Sequence, residues 1–275
     1  MPTYKILSTD LDGTLFTHGA HISAENQQAI EQLTDRGVLF VPNSGRTLTE
    51  MPASLVNHPR VRYVIHSDGA TVYDKQTGKR ILLCMAQEIS QHVLSLLQPY
   101  KTSISLRRGG KCFVNAVEHN ERDYETLGVD AGWRRFFYEF ANPVDGFFDF
   151  CRDADEVEMI CAFFPDEGER QAAIAALHAY DEVQIAFTAP NNIEIFSRHA
   201  GKGSALLALA ASLGIDPTET VAVGDSTNDS DMIKKAGLGL AMKNACPELK
   251  VIADAEICDN HSHAIAYILA HYLKN

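Results

Sequence analysis

The stretch STDLDGTLF, residues 8–16, places two aspartates two positions apart at the end of a strongly apolar run. The preceding residues, Tyr4–Thr9, have the apolar and β-favouring composition of a buried strand. A glycine and a threonine follow the second aspartate and are typical of a loop. The sequence therefore predicts two carboxylates, Asp10 and Asp12, at the end of a core strand, where their mutual repulsion needs a compensating cation.

The totals are those of an ordinary globular chain, with 275 residues, 45% hydrophobic content and 22% charged content. The formal net charge of −12 argues against a surface that binds nucleic acid by neutralising phosphates. No apolar run reaches the ~18 residues of a membrane-spanning helix, and the N-terminus lacks a signal-peptide pattern. The six cysteines form no C-x-x-C pair, which is typical of thiols in a reducing compartment. We therefore expect a cytoplasmic protein whose partners include neither nucleic acid nor membrane.

Both ends of the chain alternate apolar strand-like runs with helical runs, which is the pattern of a parallel α/β sheet. Between them, residues 84–190 mix strand-like and helical pieces in a different order. A segment of about 100 residues is large enough to form a domain of its own. The predicted fold class is thus α/β, with a Rossmann-like parallel-sheet core of residues 1–83 and 191–275 and an inserted α+β cap domain of residues 84–190.

Polar clusters follow four of the predicted core strands, and in open parallel sheets functional groups gather at the carboxyl ends of the strands. The clusters are Asp10 and Asp12 after the first strand, Ser44, Gly45 and Arg46 after VLFVPN, Lys202 after IEIFSRHAG, and Asp225, Asn228 and Asp229 after TVAVG. Several carboxylates with one lysine favour a hard cation such as Mg²⁺ that shares a substrate phosphate. A carboxylate can also attack phosphorus, while a second one acts as acid and base.

Four segments, DLDGTL, SGR, the lysine of GKGSAL, and GDSTNDSDM, resemble the four motifs of the haloacid-dehalogenase-like hydrolases, in the family's order. The DGTL tail, the N-D-x-x-M ending and the size and place of the insertion resemble the Cof-type sugar-phosphatase branch, which has a type IIB cap. The resemblance covers essentially the whole chain. Relatives commonly have NGA where this chain has SDGA (67–70), and AMGNA where it has AMKNA (241–245). Because of Asp68 and Lys243, the substrate of a close relative is not transferred to this chain.

The resemblance implies a role for each motif residue. Asp10 is expected to be the nucleophile, and Asp12 the acid–base whose backbone carbonyl also binds the metal. The other expected roles are phosphate binding by Leu11, Ser44, Gly45, Lys202 and Asn228, Mg²⁺ binding by the side chains of Asp10 and Asp225, and support by Thr14 and Asp229. The implied activity is Mg²⁺-dependent hydrolysis of a small phosphomonoester, a sugar phosphate or a phosphorylated cofactor, through an aspartyl-phosphate. The sequence specifies neither the metabolite nor the oligomeric state.

Two alternatives to a phosphatase remain open. A phosphomutase would use the same phospho-aspartate and pass the phosphoryl group to a second sugar hydroxyl. A phosphorylation-driven signalling module would carry a long-lived aspartyl-phosphate, although receiver domains lack an insertion of about 100 residues. A P-loop is excluded, because FSRHAGK has Phe196 at the first glycine position and Gly203 after the lysine.

Several other features receive structural interpretations. The eight aromatic residues of 133–150 are interpreted as cap packing rather than a stacking surface. The role of Arg46 is left open, since pairing with a core carboxylate would also account for it. Asp231 is interpreted as an ordinary helix-start acid, and Arg107 as part of a solvated loop. The connections near 83–86 and 188–192 are expected hinges of a cap that opens to admit substrate.

Overall fold

The structure is a computed structural model that describes residues 4–17 and 20–273. Its contacts divide the chain into two compact units. The core unit comprises the described residues up to Arg46, Met51–Ile81 and those from Gly201 onward. The cap unit comprises Thr47–Glu50 and Leu82–Ala200.

The elements follow one another in three segments of the chain. The first segment contains β1 (Ile6–Thr9), a tight turn (Leu11–Leu15), α1 (Ala24–Asp35), β2 (Leu39–Pro42), α2 (Ala53–Val56), β3 (Tyr63–His66), β4 (Thr71–Asp74) and β5 (Arg80–Leu82). The second contains α3 (Gln87–Leu97), β6 (Ser103–Arg108), β7 (Lys111–Asn115), α4 (Glu121–Thr126), α5 (Ala131–Phe140), β8 (Ala141–Val144), α6 (Phe147–Arg152), β9 (Val157–Phe163), α7 (Glu167–His178), β10 (Val183–Ala186) and β11 (Asn192–Ser197). The third contains α8 (Lys202–Ser212), β12 (Thr220–Gly224), α9 (Ser230–Lys235), β13 (Leu238–Ala241), α10 (Pro247–Ile252), β14 (Ala255–Glu256) and α11 (Ala264–His271).

The main sheet of the core unit has the strand order β14-β13-β12-β1-β2, and its pairs are parallel. This confirms the predicted Rossmann-like parallel sheet. Thr9 of β1 lies opposite Val223 of β12 on one side and Pro42 of β2 on the other. The three strands therefore end at the same edge, and the residues that follow them meet there.

The first helix shows how the local sequence sets these elements. Ser23 caps α1 by accepting a hydrogen bond from the amide of Asn26, a role for which serine is well suited. Ile30 and Leu33 are fully buried on one face of the helix. Gly37 follows the helix with φ +83°, which favours glycine. The chain then enters β2, which lies parallel to β1.

The strand β3 does not join the main sheet as a full member. β3 pairs antiparallel with β4 in a separate three-stranded sheet, β3-β4-β5. A single parallel bridge, Asn43 to Ile65, links it to the end of β2. The turn after β3 returns the chain at once into β4, and a short connection of this kind allows only antiparallel pairing.

The cap unit is built on a six-stranded sheet in the order β10-β11-β9-β6-β7-β8. Its pairs are antiparallel except β7 with β8. β11 was predicted to belong to the core, because residues 191–275 were assigned there. It pairs instead with β9 and β10, so the contact-defined cap unit extends to Ala200.

The aromatic residues of 133–150 are divided between the interior and the surface of the cap unit. Phe137 and Phe147 are buried in its two hydrophobic clusters. Tyr138 and Phe148 are 44% and 56% exposed, so the packing interpretation holds for only part of the segment.

The interpretation of Arg107 as part of a solvated loop is wrong. Arg107 lies in β6 and is 5% exposed, with its Nε 3.8 Å from Glu50 Oε1. Burial of a guanidinium is tolerated when acidic partners lie beside it.

In the described part of the chain, no helix has both the length and the apolar composition needed to cross a bilayer.

Candidate active site

One side of the site is formed by the turn that follows β1. The amide of Asp10 donates to the carbonyl of Val223 at 3.0 Å, which ties the end of β1 to β12. Gly13 has φ +82°, and a Cβ on it would lie 2.4 Å from Asp225 Oδ2, so only glycine fits without displacing that carboxylate. Thr14 Oγ1 donates to Asp225 Oδ1 at 3.2 Å. The turn thus sets the carboxylates of Asp10 and Asp225 at one edge of the sheet.

Lys202 lies between two carboxylates. Its Nζ is 2.6 Å from Asp10 Oδ1 and 2.6 Å from Asp229 Oδ1. All three residues are buried. Charge-assisted hydrogen bonds of this length are among the stronger polar contacts in proteins. Residues that are far apart in the sequence therefore meet around one ammonium group, as the predicted site requires.

The path by which Lys202 reaches the site differs from the prediction, because IEIFS forms β11 of the cap sheet rather than a core strand. Lys202 is the first residue of α8. The helix start is held by Asp231, whose Oδ2 accepts the amides of Gly203 and Ser204, both at 3.0 Å. Asn43 Nδ2 donates to the carbonyl of Lys202 at 2.9 Å. Lys202 is thus positioned from a helix N-terminus and not from a strand end.

Asn43 and Asp231 were not singled out as site residues from the sequence, although both position Lys202. Asn43 directly precedes the SGR segment and is fully buried. A buried asparagine side chain needs hydrogen-bond partners, and Asn43 donates to Ser8 Oγ as well as to the backbone of α8. The adjacency of Asn43 to a motif was the available signal. For Asp231, a first-turn acid explains its position in α9 but not its bonds to α8.

Asp229 has a carboxylate that is fully engaged. Its Oδ1 accepts from Lys202, and its Oδ2 accepts the amides of Asp225 and Ser226 at 2.9 and 3.0 Å. A Cβ on Gly224 would lie 2.4 Å from Asp229 Cγ, so glycine makes room for this side chain. Asp229 therefore holds the loop after β12 and orients Lys202.

The site carries an excess of negative charge. Burial raises the pKa of Asp10 well above its usual value, with Lys202 opposing the rise and Asp229 and Asp225 adding to it. Burial and the neighbouring Asp229 raise the pKa of Asp225 to about 6. Burial lowers the pKa of Lys202, but Asp10, Asp229 and Asp68 outweigh burial and raise that pKa, so Lys202 stays an ammonium.

The donor set fits a divalent cation. Asp10, Asp225 and Asp229 each offer an oxygen, and these oxygens lie within 4.8 Å of one another. Because both oxygens of Asp229 already accept hydrogen bonds, Asp10 and Asp225 are the carboxylates that suit a cation. All-oxygen ligands and surplus negative charge are what Mg²⁺ prefers.

Asp12 is held by Arg46. Arg46 Nε and one terminal nitrogen are each 2.7 Å from an oxygen of Asp12, in a two-point pair. The Asp12 side chain is 58% exposed, so it lies at the rim of the carboxylate cluster rather than within it. Arg46, whose role the sequence left open, thus pairs with the expected acid–base.

Ser44 and Gly45, two of the expected phosphate-binding residues, follow β2. Ser44 is buried; its amide donates to the carbonyl of Ile65, and its hydroxyl accepts the amide of Arg46 at 3.2 Å. Leu11, which shares the turn after Asp10, is fully buried, and its carbonyl accepts the amide of Phe16. The loops after β1 and β2 are therefore fixed by backbone hydrogen bonds.

Asn228 is held on both sides of its amide group. Ser226 Oγ donates to Asn228 Oδ1 at 2.6 Å, and Asn228 Nδ2 donates to Asp68 Oδ1 at 3.0 Å. Asp68 was not assigned a role from the sequence, and its departure from the common NGA pattern was the signal. Every residue of the described site belongs to the core unit.

Comparison with known proteins identifies a family and several relatives that this chain matches. A family model described as haloacid dehalogenase-like hydrolase matches residues 7–269. Phosphatase YwpJ of Bacillus subtilis (strain 168) is 27% identical over 286 residues, covering 98% of this chain and 100% of the relative. The 5-amino-6-(5-phospho-D-ribitylamino)uracil phosphatase YwtE of the same organism is 28% identical over 290 residues, covering 98% of each chain. The HMP-PP phosphatase of Yersinia pseudotuberculosis serotype O:1b (strain IP 31758) is 26% identical over 275 residues, covering 99% of this chain and 96% of the relative.

Solved structures have the same fold. A haloacid dehalogenase-like hydrolase from B. subtilis superposes with a TM-score of 0.78 at 27% identity, covering 98% of this chain and 100% of its own. A haloacid dehalogenase-like hydrolase from Bacteroides thetaiotaomicron gives a TM-score of 0.78 at 21% identity, with coverages of 98% and 99%. The likeness extends over both units of the chain and confirms the predicted fold class.

Proposed function

The chain belongs to the haloacid dehalogenase-like hydrolases, as its motifs predicted, and from this premise we propose that it hydrolyses small phosphomonoesters with Mg²⁺, through an aspartyl-phosphate on Asp10. It is an enzyme of the phosphatase type, like its relatives. The observation that carries the proposal is the buried contact of Lys202 with Asp10 and Asp229, both at 2.6 Å. This contact sets one carboxylate beside a fixed positive charge at the end of β1.

The core unit supplies the groups for a two-step transfer. In the first step an Asp10 oxygen bonds to phosphorus, the bond to the leaving oxygen breaks, and Asp12 gives that oxygen a proton. In the second step Asp12 takes a proton from water, the water oxygen bonds to phosphorus, and the bond from Asp10 breaks. Inorganic phosphate is released and Asp10 is restored. Two steps with a preset nucleophile replace one very slow hydrolysis.

The remaining residues hold the phosphoryl group and keep the nucleophile in place. Lys202 offers a point charge to a phosphate oxygen, and Ser44, Asn228 and the amides of Leu11 and Gly45 offer neutral donors. Asp10, Asp225 and the backbone carbonyl of Asp12 would hold Mg²⁺, which supplies positive charge against the carboxylates and the phosphoryl group. Thr14 and Asp229 keep this arrangement by their contacts with Asp225 and Lys202.

Asp12 has to leave its pair with Arg46, at least in part, before it can exchange a proton with the substrate. While Arg46 donates to both Asp12 oxygens, it competes with the substrate for them. The rim position and the exposure of Asp12 allow the side chain to rotate. The proposed acid–base role thus depends on an exchange of partners at this residue.

The substrate class follows from the relatives, whose names specify small phosphorylated metabolites, an aminouracil phosphate in one case and HMP-PP in another. We extend this to sugar phosphates and phosphorylated cofactors as the substrates of this chain. Leaving-group specificity is assigned to the cap unit, since the described phosphate-handling residues lie in the core unit. A cytoplasmic location completes the proposal, because the six cysteines are free thiols.

The proposal is tested by phosphate release from a panel of phosphorylated metabolites and from p-nitrophenyl phosphate. We expect activity with Mg²⁺, loss of activity with EDTA, and loss in Asp10→Asn, which keeps the shape of the side chain. Radioactive phosphate from a labelled ester should be trapped on the wild type by acid quenching, but not on the variant. Turnover that survives Asp10→Asn would remove Asp10 as nucleophile. Isomerised sugar phosphate in place of free phosphate would indicate a mutase, and a stable phospho-protein without turnover would indicate a signalling module.

A further inference from the structure

Asp68 is a buried carboxylate in the phosphate-binding part of the site that none of the four motifs contains. It lies in the turn between β3 and β4 and is 7% exposed. Its amide donates to the carbonyl of Ser44 at 3.1 Å, so the turn is fastened to the loop after β2. The position of Asp68 is therefore fixed by the backbone on the same side as Ser44 and Gly45.

The turn that carries Asp68 adopts an unfavourable backbone conformation. Ser67 and Asp68 have φ +52° and +50°, in the left-handed region that side chains other than glycine rarely adopt. Gly69 follows at φ +84°, and a Cβ on it would lie 2.1 Å from the carbonyl oxygen of Gly201. Strain of this kind persists where surrounding contacts hold it, and it clusters at functional sites. Here the strained turn directs a carboxylate into the phosphate-binding region.

The carboxylate of Asp68 contacts groups expected to hold the phosphate. Its Oδ1 accepts one N–H of the Asn228 amide at 3.0 Å, which leaves the second N–H of Asn228 in a fixed direction. Its Oδ2 lies 2.8 Å from the point that a Cβ on Gly45 would occupy. Its charge also acts on Lys202, the cation of the site. A phosphoryl group held by Asn228, Gly45 and Lys202 would therefore bind beside a fixed negative charge.

We propose that Asp68 sets the anion affinity of the phosphate site: it orients Asn228 for the phosphoryl group and, by its charge, weakens the binding of the phosphate dianion. The inference rests on the proposed function, since it concerns the same phosphate site. Two like charges about 4 Å apart repel by about 1 kcal/mol in water and by more in a less polar site, so the affinity for a dianion is expected to change by about tenfold or more. The consequence for the enzyme is easier release of inorganic phosphate, at the expense of a higher KM.

The test is Asp68→Asn, which keeps the shape of the side chain and an oxygen for Asn228 but removes the charge. The matched control is Asp74→Asn, the same change at the opposite end of β4, four residues of strand away from the turn. We expect the inhibition constant of inorganic phosphate and the KM for p-nitrophenyl phosphate to fall by about tenfold in Asp68→Asn and to stay unchanged in Asp74→Asn. A third variant, Asp68→Ala, loses the orientation of Asn228 as well and should bind phosphate less tightly than Asp68→Asn.

A second measurement needs no turnover. The midpoint of thermal unfolding, followed against the concentration of inorganic phosphate with Mg²⁺ present, reports the affinity of the folded protein for the anion. Half-maximal stabilisation should occur at about tenfold less phosphate in Asp68→Asn than in the wild type. An inactive wild type with this shift would overturn the proposed function but keep the role of Asp68. An unchanged or weaker phosphate affinity in Asp68→Asn, or an equal shift in Asp74→Asn, would overturn the role of Asp68.

Discussion

Replacing Asp225 by asparagine should stabilise the metal-free protein while removing its response to Mg²⁺. The carboxylate of Asp225 accepts a hydrogen bond from Thr14, but burial and the neighbouring Asp229 disfavour its charged form. Asparagine has the same shape and keeps an oxygen for Thr14. The substitution therefore removes an unfavourable charge without opening a cavity, and it also removes a ligand that suits a cation.

The magnitude follows from the pKa of Asp225, which is raised from its usual 3.8 to about 6. A raised carboxylate pKa means that the folded state binds the proton more tightly than the unfolded state, so stability falls as the pH rises through this interval. A shift of about two units corresponds to about 3 kcal/mol, and solvent screening of a partly exposed carboxylate reduces this to about 1–2 kcal/mol. The gain in Asp225→Asn should be complete above about pH 6 and absent near pH 4.

The assay is denaturant unfolding of the wild type and Asp225→Asn at pH 4.5 and pH 7.5, each with EDTA and with excess Mg²⁺. Asp74→Asn serves as a control of opposite sign, because the hydrogen bond from Arg62 lowers the pKa of Asp74 to about 2 and its loss should destabilise the protein at neutral pH. With EDTA at pH 7.5, Asp225→Asn should be more stable than the wild type, and Mg²⁺ should stabilise the wild type and Asp74→Asn but not Asp225→Asn. A variant that is less stable than the wild type under these conditions, or that Mg²⁺ stabilises equally, would contradict the charge excess inferred for the cluster.

Two further substitutions test other parts of the site. Lys202→Met leaves Asp10 and Asp229 buried without their shared cation. We therefore expect the free energy of unfolding to fall by about 3–5 kcal/mol at pH 7.5, and by less in acid, where the carboxylates bind protons. Denaturant unfolding curves at pH 4.5 and 7.5 measure this loss, and a variant as stable as the wild type at pH 7.5 would contradict it. Gly13→Ala and Gly37→Ala introduce a Cβ at φ +82° and +83°, but only the first meets Asp225, at 2.4 Å, and the second meets nothing within 4 Å. Both variants should therefore lose about 1 kcal/mol of stability to backbone strain, whereas only Gly13→Ala should need more Mg²⁺ for half-maximal activity. Equal Mg²⁺ requirements in the two variants would contradict a role of the Gly13 turn in metal binding.

The core sheet was predictable because its local signals agree with one another. The apolar run indicates the strand β1, and Ser23 and Gly37 indicate the start and the end of the helix α1; the structure has each of them. A fold can be predicted from sequence where the local conformational preferences agree with the overall fold in this way. The meeting of Asp10 with Asp225 then follows from parallel strands that end at one edge.

The errors arose where the sequence does not specify a partner. The apolar run of β11 indicates a buried strand but not the sheet that it joins, so it was placed in the core. Arginine is usually a solvent-exposed residue. The burial of Arg107 depends on its contact with Glu50, which is distant in the chain, and such a contact cannot be inferred from the local sequence pattern. Asp68 reaches Asn228 through a turn with two unfavourable residues, and preferences of single residues do not predict such a turn.

Four aspartates of the described site differ in role because they differ in the hydrogen bonds that their carboxylates accept. Asp229 accepts three, from Lys202 and two backbone amides, and Asp12 accepts two from Arg46. Asp10 accepts one from Lys202, and Asp225 accepts one from Thr14. A buried carboxylate that is saturated with donors is stable as it stands and serves as a support, whereas one with few donors still needs positive charge. Of these four, Asp10 and Asp225 accept the fewest hydrogen bonds, and they are therefore the two carboxylates at which a bound cation would lower the free energy most.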